Sequence, residues 1–354
     1  MEDLPPIPND ISQLTADWLT DTLSRFYPGT IVESVHIGTV IRGTATKARL
    51  LLAYNEVGHQ HRLPPTMWFK GGLEAHSDNA DMLAVYAGEA AFFQDLANTL
   101  NVNIPKAFVA TLDPQSNRSM LLLEDLLARN ATFGHATKPV TPEQAMKFVA
   151  FLAKLHAQYW QSPTLQEMAW LKGGGALLEG NVIDNVLSKE NWDRCLSLPR
   201  GRFVTGDLND FERMRGLTLE MLRHDAANAH CLVHGDAHLG NTFFTPDGEV
   251  GYLDWQTVMI GFWAHDVADF MTTSLTTEDR RRHERALIQH YADTLARDGV
   301  TLSLDDAWQE YRRHALYNFV WALCLPEWQP EEVCAPNAER ACAAIQDLDT
   351  LNAW

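Results

Sequence analysis

Apolar and polar positions alternate through much of the first third of the chain, with two stretches of helical spacing between them. The spacing over residues 14–23 predicts a helix, and Thr15 is placed to cap its N-terminus. Residues 81–100 carry a longer apolar stripe at helical spacing, which predicts a second helix. Short apolar or alternating runs predict strands over residues 31–41, 48–54, 66–70, 107–112 and 119–123.

From residue 141 onward the apolar spacing is mostly helical. Helices are predicted over residues 141–159, near 211–224, and over 278–297 and 304–325. The one predicted interruption by β structure is a hairpin over residues 242–253. The expected fold class is therefore α+β, with a small sheet-and-helix lobe over residues 1–126 and a larger, mainly helical lobe over 127–354.

The predicted hairpin carries the residues with the clearest chemistry. An apolar run leads into a tight loop that holds Asp236 and Asn241. The Asp-Gly pair at 247–248 is expected to form the turn, which places Asn241 opposite Asp254 across the ladder. Directly opposed residues have Cβ atoms roughly 4.5–5.5 Å apart. The Asn241 amide oxygen and the Asp254 carboxylate are therefore expected to share one divalent ion.

These three residues fit the transfer of a phosphoryl group from a nucleotide to an alcohol. Asp236 would orient the attacking hydroxyl and take up its proton. Asn241 and Asp254 would hold the Mg²⁺ that neutralises the charge of the triphosphate. The alternative is an Asx-rich turn, in which the same side chains satisfy nearby backbone groups.

Lys70 and Glu89 form a second candidate group. Lys70 ends the strand predicted over 66–70, and Glu89 lies on the apolar face of the helix predicted over 81–100. A buried carboxylate is costly unless it is paired, so Glu89 is expected to pair with Lys70. The alternative has Lys70 extending to water and Glu89 at the edge of the apolar stripe.

The loop over residues 38–47 is a candidate cover for the same phosphates, since Gly43 and Thr44 offer backbone and hydroxyl donors. It matches neither the G-x-G-x-x-G pattern nor the Walker pattern. An ordinary hairpin turn is the alternative, and only the position of the loop before Lys70 favours the phosphate role.

Composition narrows the partners and the compartment. The chain has 354 residues and a formal net charge of −18, which disfavours nucleic acid and anionic membranes, because both require a basic surface. No apolar run approaches the ~18 residues of a membrane span, and the acidic N-terminus lacks a signal sequence. The five scattered cysteines fit reduced thiols better than disulfides, so a cytoplasmic protein is expected.

The pattern His-x-Asp-x-x-x-x-Asn at 234–241, followed by Asp254, resembles the catalytic loop and metal-binding aspartate of kinases. Gly235 stands where protein kinases carry arginine, and Asp-Trp-Gln at 254–256 replaces their Asp-Phe-Gly. This combination is similar to the aminoglycoside-phosphotransferase and choline-kinase superfamily. Three further motifs are similar to its ecdysteroid-kinase-like branch: Leu-Leu-Glu-Asp-Leu at 122–126, Leu-Ala-Lys-Leu-His-Ala at 152–157 and Asp-Val-Ala-Asp-Phe at 266–270.

The resemblance implies a protein-kinase-like bilobal fold and an ATP- and Mg²⁺-dependent kinase that acts on a hydroxyl of a small organic molecule. In such kinases a pair like Lys70 and Glu89 holds the lysine against the nucleotide phosphates. It also implies that the backbone near Glu124 and Leu126 forms a hinge that binds the adenine edge, and that His234 braces the catalytic loop. Asp266 is expected to anchor that loop or cap a helix, and His156 to be a hydrogen-bonded core histidine rather than a ligand.

Other functions stay open. A metal-dependent hydrolase would use His234, Asp236 and His238 as ligands. A non-catalytic nucleotide-binding module is disfavoured because all of the key kinase residues are present. For a kinase, an aminoglycoside or macrolide antibiotic is the alternative acceptor to a bulky, rather apolar alcohol. The apolar acceptor is favoured by tryptophans that either line an acceptor pocket or lie in the core: Trp255, Trp263, Trp308, Trp321 and Trp328.

Overall fold

The computed structural model describes residues 5–113, 115–173, 178 and 181–354, and of residues 181, 182, 321 and 322 it describes the backbone. The chain divides into two compact units. The first comprises the chain up to Thr99 together with Ile104–Ala131, and the second comprises Leu100–Asn103 and Thr132–Trp354. Within the described residues, no helix is long and apolar enough to cross a membrane.

The first unit extends to Ala131, beyond the predicted boundary at residue 126. Asp125 caps a 3₁₀ turn over Leu126–Arg129, and the N–H of Ala131 bonds the carbonyl of Leu126 at 3.1 Å. These bonds attach the turn to the first unit. A boundary predicted from the order of the elements does not include them. The positions of Lys70 and Asp236 predict nucleotide binding by residues 1–126, and catalysis with substrate binding by residues 127–354, and these two functions remain predictions.

The first unit is built on an antiparallel sheet of five strands in the order β1-β2-β3-β5-β4. All five strands occur where the apolar pattern predicts them. Their apolar core includes Leu50, Met67, Phe69 and Leu122. The strands are β1 (Val32–Ile41), β2 (Thr46–Tyr54), β3 (Thr66–Gly71), β4 (Ala107–Leu112) and β5 (Ser119–Glu124).

Helix α1 (Ala16–Phe26) begins at the predicted cap, where the Thr15 hydroxyl accepts the N–H of Trp18 at 3.2 Å. Its buried residues Leu19 and Leu23 join the core of the sheet. The amphipathic pattern near the N-terminus is thereby explained by packing against the strands. A short helix, α2 (Glu56–Gln60), follows β2.

Helix α3 (Ala80–Ala91) is shorter than the helix predicted over residues 81–100. Its hydrogen bonding widens to a π turn over Phe92–Leu96 and then tightens to a 3₁₀ turn over Ala97–Thr99. The apolar stripe continues through these turns, so the sequence pattern shows one helix where the backbone changes its winding.

The second unit is mainly helical. Every residue of helix α9 is buried, and it contacts five other helices, α4 and α10 to α13. The helices of the described residues are α4 (Pro142–Gln158), α5 (Pro163–Gln166), α6 (Asn181–Val186), α7 (Lys189–Leu196), α8 (Phe211–Asn228), α9 (Trp263–Ser274), α10 (Thr277–Arg297), α11 (Leu304–His314), α12 (Tyr317–Ala322) and α13 (Glu331–Asp347).

The helix predicted over residues 304–325 is in fact two helices, α11 and α12. The Thr350 hydroxyl donates to the carbonyl of Arg312 at 2.8 Å. In a continuous helix that carbonyl would accept the N–H of Leu316. The N–H of Leu316 bonds Arg313 instead, at 3.4 Å, and the helix ends. A residue from the far end of the chain therefore bonds the backbone where this helix ends, and local sequence does not reveal this contact.

The second unit also holds short strands. β8 (Thr242–Phe244) pairs with β6 (Thr132–Phe133) and with β9 (Val250–Tyr252). β7 (Cys231–Val233) pairs with β10 (Met259–Gly261). The prediction of a single hairpin is therefore wrong, because strands of two or three residues are too short to show alternation.

Candidate active site

Gly235 sets the shape of the loop that follows β7. Its φ is +82°, and a Cβ at this position would lie 2.3 Å from the carbonyl oxygen of Thr257. From the first turn of α9, the Asp266 carboxylate accepts the N–H groups of His234 (2.7 Å) and Gly235 (2.9 Å). Asp266 therefore anchors the loop, as predicted, and the space around residue 235 suits glycine alone.

The His234 ring links the loop to the hairpin. Its Nε2 donates to the carbonyl of Leu253 at 3.1 Å, and its Nδ1 accepts the N–H of Asp236 at 3.3 Å. Burial lowers the pKa of His234, and these two partners require only the neutral ring. The predicted bracing role of His234 is confirmed by these contacts.

His156 supports the same anchor from α4. Its Nε2 donates to the Asp266 carboxylate at 3.1 Å, and its Nδ1 lies 2.8 Å from the Tyr291 hydroxyl. Burial raises the pKa of Asp266, but the bond from His156 and the charges of nearby histidines outweigh it and lower the pKa below its ordinary value. His156 is a hydrogen-bonded core histidine, as predicted.

Asn241 and Asp236 are in direct contact. The Asn241 Nδ2 group donates to the Asp236 carboxylate and to the Asp236 carbonyl oxygen, both at 2.9 Å. A 3₁₀ turn over Leu239–Asn241 brings them together, and the His238 ring caps this turn by accepting the N–H of Gly240 at 2.9 Å. Because Nδ2 is used inside the loop, the amide oxygen is the Asn241 atom suited to a cation.

The register of the hairpin differs by one residue from the prediction. Asn241 lies opposite Leu253 rather than Asp254, and the N–H of Leu253 bonds the carbonyl of Asn241 at 2.9 Å. The loop at the tip has three residues instead of two, with Gly248 in the left-handed region at φ +82°. An Asp-Gly pair is compatible with both loop lengths, so the turn signal alone does not fix the register.

Asp254 is placed by the residue that precedes it. Leu253 donates its N–H to the Asn241 carbonyl and accepts the His234 Nε2 at its own carbonyl, so the backbone on both sides of Leu253 is held. The backbone then turns at Asp254 with φ +66°, which is uncommon for a residue with a Cβ. The charge of Asp254 raises the pKa of Asp236, so the two carboxylates act on each other.

The His238 ring faces Asp236. Its Nε2 lies 3.5 Å from the Asp236 carboxylate, and the two side chains are 31% and 30% exposed. Burial lowers the pKa of His238, but the surrounding carboxylates outweigh it and raise the pKa to about 9. For Asp236 burial raises the pKa, and the His238 charge outweighs burial and lowers it below the ordinary value. Asp236 is therefore ionised at neutral pH.

Lys70 and Glu89 form the predicted ion pair inside the first unit. The Lys70 ammonium group, from β3, lies 2.6 Å from the Glu89 carboxylate, from α3. Both residues are buried, at 4% and 2% exposure. They border a small cavity that Ala45 and Met120 also line. The alternative in which Lys70 extends to water is thereby excluded.

The loop between β1 and β2 is held by hydrogen bonds to other residues of the first unit. The carbonyl of Thr44 accepts the Tyr86 hydroxyl and lies 3.3 Å from the His76 ring. Glu74 accepts the Thr46 hydroxyl at 2.8 Å. At Gly43, no atom lies within 4 Å of the position that a Cβ would occupy. The phosphate role of Gly43 and Thr44 stays a prediction.

The backbone at Glu124 and Leu126 is already partly used within the first unit. The N–H of Glu124 donates to the carbonyl of Lys106 at 2.8 Å, and the carbonyl of Leu126 accepts the N–H of Ala131 at 3.1 Å. Only the other backbone groups of these residues are left to bind an adenine edge. The predicted adenine contact stays a prediction.

The hydrolase alternative does not fit the geometry of its three ligands. Both ring nitrogens of His234 are bonded to backbone groups, and the Nδ1 of His238 accepts a backbone N–H. A metal ligand needs a free nitrogen lone pair, which His234 does not offer. Across the described ranges, no group of three His, Cys, Asp or Glu side chains is placed to hold a metal.

The tryptophans give little support to an acceptor pocket. Trp255 and Trp263 are buried in the core, and the Trp255 ring lies 4.6 Å from the His234 ring. The Trp308 ring is covered by the Arg285 guanidinium at 3.5 Å, whereas Trp328 is exposed. The side chain of Trp321 lies outside the described residues. The pocket interpretation is therefore wrong for Trp255 and Trp263.

Two residues beside the loop escaped the sequence analysis. His265 and Asp225 are buried, and the His265 ring bonds both the Asp225 carboxylate and the carbonyl of Gly235. A signal for Asp225 existed: it continues the buried stripe of α8, which includes Met214, Thr218, Met221 and Leu222. A carboxylate on a buried stripe predicts a partner, as it did for Glu89.

The comparison with protein families decides the class of protein. A family model described as the phosphotransferase enzyme family (APH) matches residues 79–312. The chain belongs to this family. It is therefore a phosphotransferase, and the non-catalytic alternative falls away. A search of curated proteins gave no match.

Solved structures show the fold of this phosphotransferase. The chain is similar to spectinomycin phosphotransferase APH(9)-Ia in complex with ADP and spectinomycin, at 11% identity over 99% of this chain and 100% of that chain, with a TM-score of 0.53. It is also similar to choline kinase LicA from Streptococcus pneumoniae (14% identity, 88% and 94% covered, TM-score 0.48) and to Plasmodium vivax ethanolamine kinase (14% identity, 89% and 81% covered, TM-score 0.48). At these identities the likeness concerns the fold alone. The antiparallel sheet, the helical second unit and the likeness to the spectinomycin phosphotransferase confirm the predicted α+β, kinase-like fold class.

Proposed function

We propose that this phosphotransferase transfers the γ-phosphate of ATP, bound with Mg²⁺, to a hydroxyl group of a small organic molecule. The observation that carries the proposal is the hydrogen bond from Asn241 to the Asp236 carboxylate, in a loop fixed by Asp266. An Asx turn that serves only the local backbone would not need an ionised carboxylate that is still 30% exposed. The exposed carboxylate supports a role toward a substrate.

The residues present fit Mg²⁺. This ion prefers oxygen ligands and takes only one or two carboxylates from a protein in nucleotide sites. Asp254 offers a carboxylate, and Asn241 offers an amide oxygen because its nitrogen is turned to Asp236. When bound at Asn241 and Asp254, Mg²⁺ would neutralise the charge of the nucleotide phosphates.

We assign the nucleotide to residues of the first unit. The Lys70 ammonium group, held by Glu89, would contact the phosphates, and the loop with Gly43 and Thr44 would cover them. The backbone at Glu124 and Leu126 would contact the adenine edge. Support comes from the buried Lys70–Glu89 pair beside its small cavity, since a buried ammonium group needs anionic partners.

Asp236 carries the proposed chemistry. The acceptor hydroxyl donates a hydrogen bond to the Asp236 carboxylate and attacks the γ-phosphorus. A new O–P bond forms as the bond from that phosphorus to the oxygen of the leaving ADP breaks, and the hydroxyl proton passes to Asp236. General base catalysis of this kind contributes roughly 10²–10⁴-fold to the rate.

Two acceptor classes remain candidates. A bulky, rather apolar alcohol is supported by the ecdysteroid-kinase-like motifs at 122–126, 152–157 and 266–270. The alternative, an antibiotic such as an aminoglycoside or macrolide, is supported as a class by the fold likeness to the spectinomycin phosphotransferase, which covers 99% of this chain. The burial of Trp255 and Trp263 removes one support for the apolar alcohol, so the two classes stand level.

We place the reaction in the cytoplasm, where ATP is abundant. The five cysteines are free and buried, as expected for a chain kept in a reducing compartment. Expression with a fluorescent tag and cell fractionation would test this location, and recovery of the protein outside the cell would contradict it.

A screen for phosphate transfer tests the proposal. Purified protein with Mg²⁺ and ATP should add one phosphate to at least one compound in a panel of steroid alcohols, amino alcohols, aminoglycosides and macrolides, detected by mass. The Asp236→Asn variant is the matched control, and it should bind nucleotide as wild type does. It should transfer phosphate about 10²–10⁴-fold more slowly, because this is the usual contribution of a general base. Equal transfer by both proteins would contradict the role of Asp236.

A further inference from the structure

A buried chain of hydrogen bonds reaches the peptide that precedes Asp236. Asp225, on α8, lies between two histidines: one carboxylate oxygen is 3.2 Å from the Nδ1 of His265, and the other bonds the Nε2 of His314. The Nε2 of His265 lies 3.2 Å from the carbonyl oxygen of Gly235. Asp225, His265 and His314 are each at most 4% exposed.

The partners of His265 determine its protonation. A carboxylate and a carbonyl oxygen can only accept hydrogen bonds, so both ring nitrogens of His265 must donate, and the ring is an imidazolium. Burial lowers the pKa of His265, but the bond to Asp225 and its charge outweigh burial and raise the pKa to about 9. In turn, burial raises the pKa of Asp225, and the two histidines outweigh it and lower the pKa well below its ordinary value.

Both backbone polar groups of Gly235 are hydrogen-bonded. Its N–H donates to Asp266 at 2.9 Å, and its carbonyl accepts the Nε2 of His265 and the Tyr317 hydroxyl, the latter at 3.3 Å. A peptide group is planar, so fixing the Gly235 carbonyl also fixes the plane of the N–H of Asp236. The direction in which the Asp236 side chain leaves the loop is set from this plane.

We propose that Asp225 and His265 are positioning residues of the transfer reaction, which aim the Asp236 carboxylate by holding the carbonyl of Gly235. The inference rests on the proposed function of Asp236 as the residue that orients the acceptor hydroxyl. Asp225 holds the His265 ring in place and keeps it protonated. His265 then donates to the Gly235 carbonyl.

The C-terminal part of the chain takes part in this positioning. His314 ends α11 and bonds Asp225, and Tyr317 begins α12 and bonds the Gly235 carbonyl. His314 thus acts on the loop through Asp225, and Tyr317 bonds the loop directly. Residues after position 300, for which the sequence gives no motif, thus help to build the catalytic loop.

Two substitutions of His265 separate its two hydrogen bonds. His265→Gln keeps a nitrogen donor near the position of Nε2 and so retains the bond to Gly235. His265→Asn keeps a donor near the position of Nδ1 and so retains only the bond to Asp225. We expect His265→Asn to lower kcat about 100-fold, since small misplacements of reacting groups have effects of this size. We expect His265→Gln to stay close to wild type, and the KM values of both substrates to be unchanged in both variants.

The comparison decides between positioning and a merely structural role. A structural role predicts that kcat falls alike in His265→Gln and His265→Asn, in step with their melting temperatures, and this result would overturn the proposal. Unchanged kcat in both variants would overturn it as well. If His265→Asn does not fold, Tyr317→Phe removes the second donor to Gly235, and we expect kcat to fall about 10-fold at unchanged KM; an unchanged kcat would refute the inference.

Amide hydrogen exchange over residues 231–241 gives a readout that does not depend on activity. We expect faster exchange at Gly235 and Asp236 in His265→Asn than in wild type or His265→Gln. If wild-type protein transfers phosphate to no acceptor, the proposed function fails, yet the exchange data still judge the contact. Equal exchange in the two variants would then overturn the positioning inference by itself.

Discussion

Three residues of the loop after β7 show how much depends on the chemistry of single positions. Gly235 permits a positive φ and a close approach to the Thr257 carbonyl. Asp236 supplies a carboxylate whose pKa is lowered, mainly because the charge of His238 outweighs burial. Asn241 uses its amide nitrogen within the loop, which leaves its oxygen suited to a cation. We therefore expect each of these roles to be impaired when another residue type is introduced.

Gly235→Ala is expected to destabilise the protein and abolish transfer. A left-handed backbone costs about 1–2 kcal/mol for alanine, and forcing a methyl group into a packed site costs about 1–3 kcal/mol. The loss of unfolding free energy should therefore be about 2–5 kcal/mol, measured by urea denaturation.

Gly216→Ala is the matched control for this substitution. Gly216 lies inside α8, and no atom lies within 4 Å of the position of an added Cβ. Alanine should stabilise this helix by about 0.5–1 kcal/mol relative to glycine. Equal effects of the two substitutions would show that residue 235 is not under steric constraint.

At the scale of elements, the buried pair of Lys70 and Glu89 joins β3 to α3. Glu89→Gln should lower the unfolding free energy by about 3–5 kcal/mol, because it leaves the Lys70 charge buried without its partner charge. The double variant Lys70→Met, Glu89→Leu should recover most of this loss, since apolar replacements of a buried pair are often neutral. Urea denaturation gives both values.

The same variants separate stability from nucleotide binding. The double variant is expected to be folded and yet to bind ATP weakly, because the ammonium group for the phosphates is gone. Calorimetric titration with Mg·ATP would measure this. Wild-type affinity in the double variant would refute the phosphate role of Lys70 while leaving the structural role of the pair intact.

The contact between α8, α9 and the loop should make stability depend on pH. The pKa of His265 is raised from 6.5 to about 9 in the folded protein. Its contribution to stability is therefore complete below pH 6.5 and is lost as the pH rises through about 9. The pKa of the neighbouring Asp269 is raised to about 7 by burial, so its ionisation also destabilises the folded state as the pH rises.

Urea denaturation at pH 6, 7.5 and 9 would measure this dependence. We expect the unfolding free energy of wild type to decrease between pH 6 and pH 9. His265→Gln carries no titratable ring at this position, so its decrease should be smaller. The same slope in both proteins would mean that His265 does not hold an extra proton in the folded state.

The elements also show which parts of the structure are readable from sequence. Helical and strand periodicities place Glu89 and Lys70 on buried faces, and the predicted pair is confirmed. The turn signal predicts the hairpin, but the predicted register is wrong by one residue, because the turn has three residues rather than two. Local patterns thus give elements and faces, whereas register depends on turn geometry.

At the scale of the whole molecule, prediction was limited by contacts between distant parts of the chain. His265 received no role, because its partners Asp225 and Tyr317 lie 40 and more residues away in sequence. At the break after α11, the Arg312 carbonyl is bonded by Thr350, from the end of the chain. By contrast, Asp236, Asn241 and Asp266 lie in motifs with fixed spacing, which single them out before any of their contacts is known. Motif residues can be identified from sequence spacing alone, whereas the residues that support them can be identified only from tertiary contacts.

Metal and nucleotide should stabilise the folded protein together, because a ligand that binds only the native state shifts the unfolding equilibrium. At 100 times its Kd, Mg·ATP should add about 2.7 kcal/mol to the unfolding free energy, visible as a higher melting temperature. Removal of Mg²⁺ with EDTA should cancel most of this gain, since the nucleotide would lose its contact through Asn241 and Asp254.

Asp254→Ala should likewise abolish the gain that Mg²⁺ adds to ATP. Glu249→Ala is the control, because Glu249 is an exposed acidic residue of the same hairpin. If Asp254→Ala keeps the full Mg²⁺-dependent rise while Glu249→Ala does too, the ion is held elsewhere and the assignment of Asp254 is wrong.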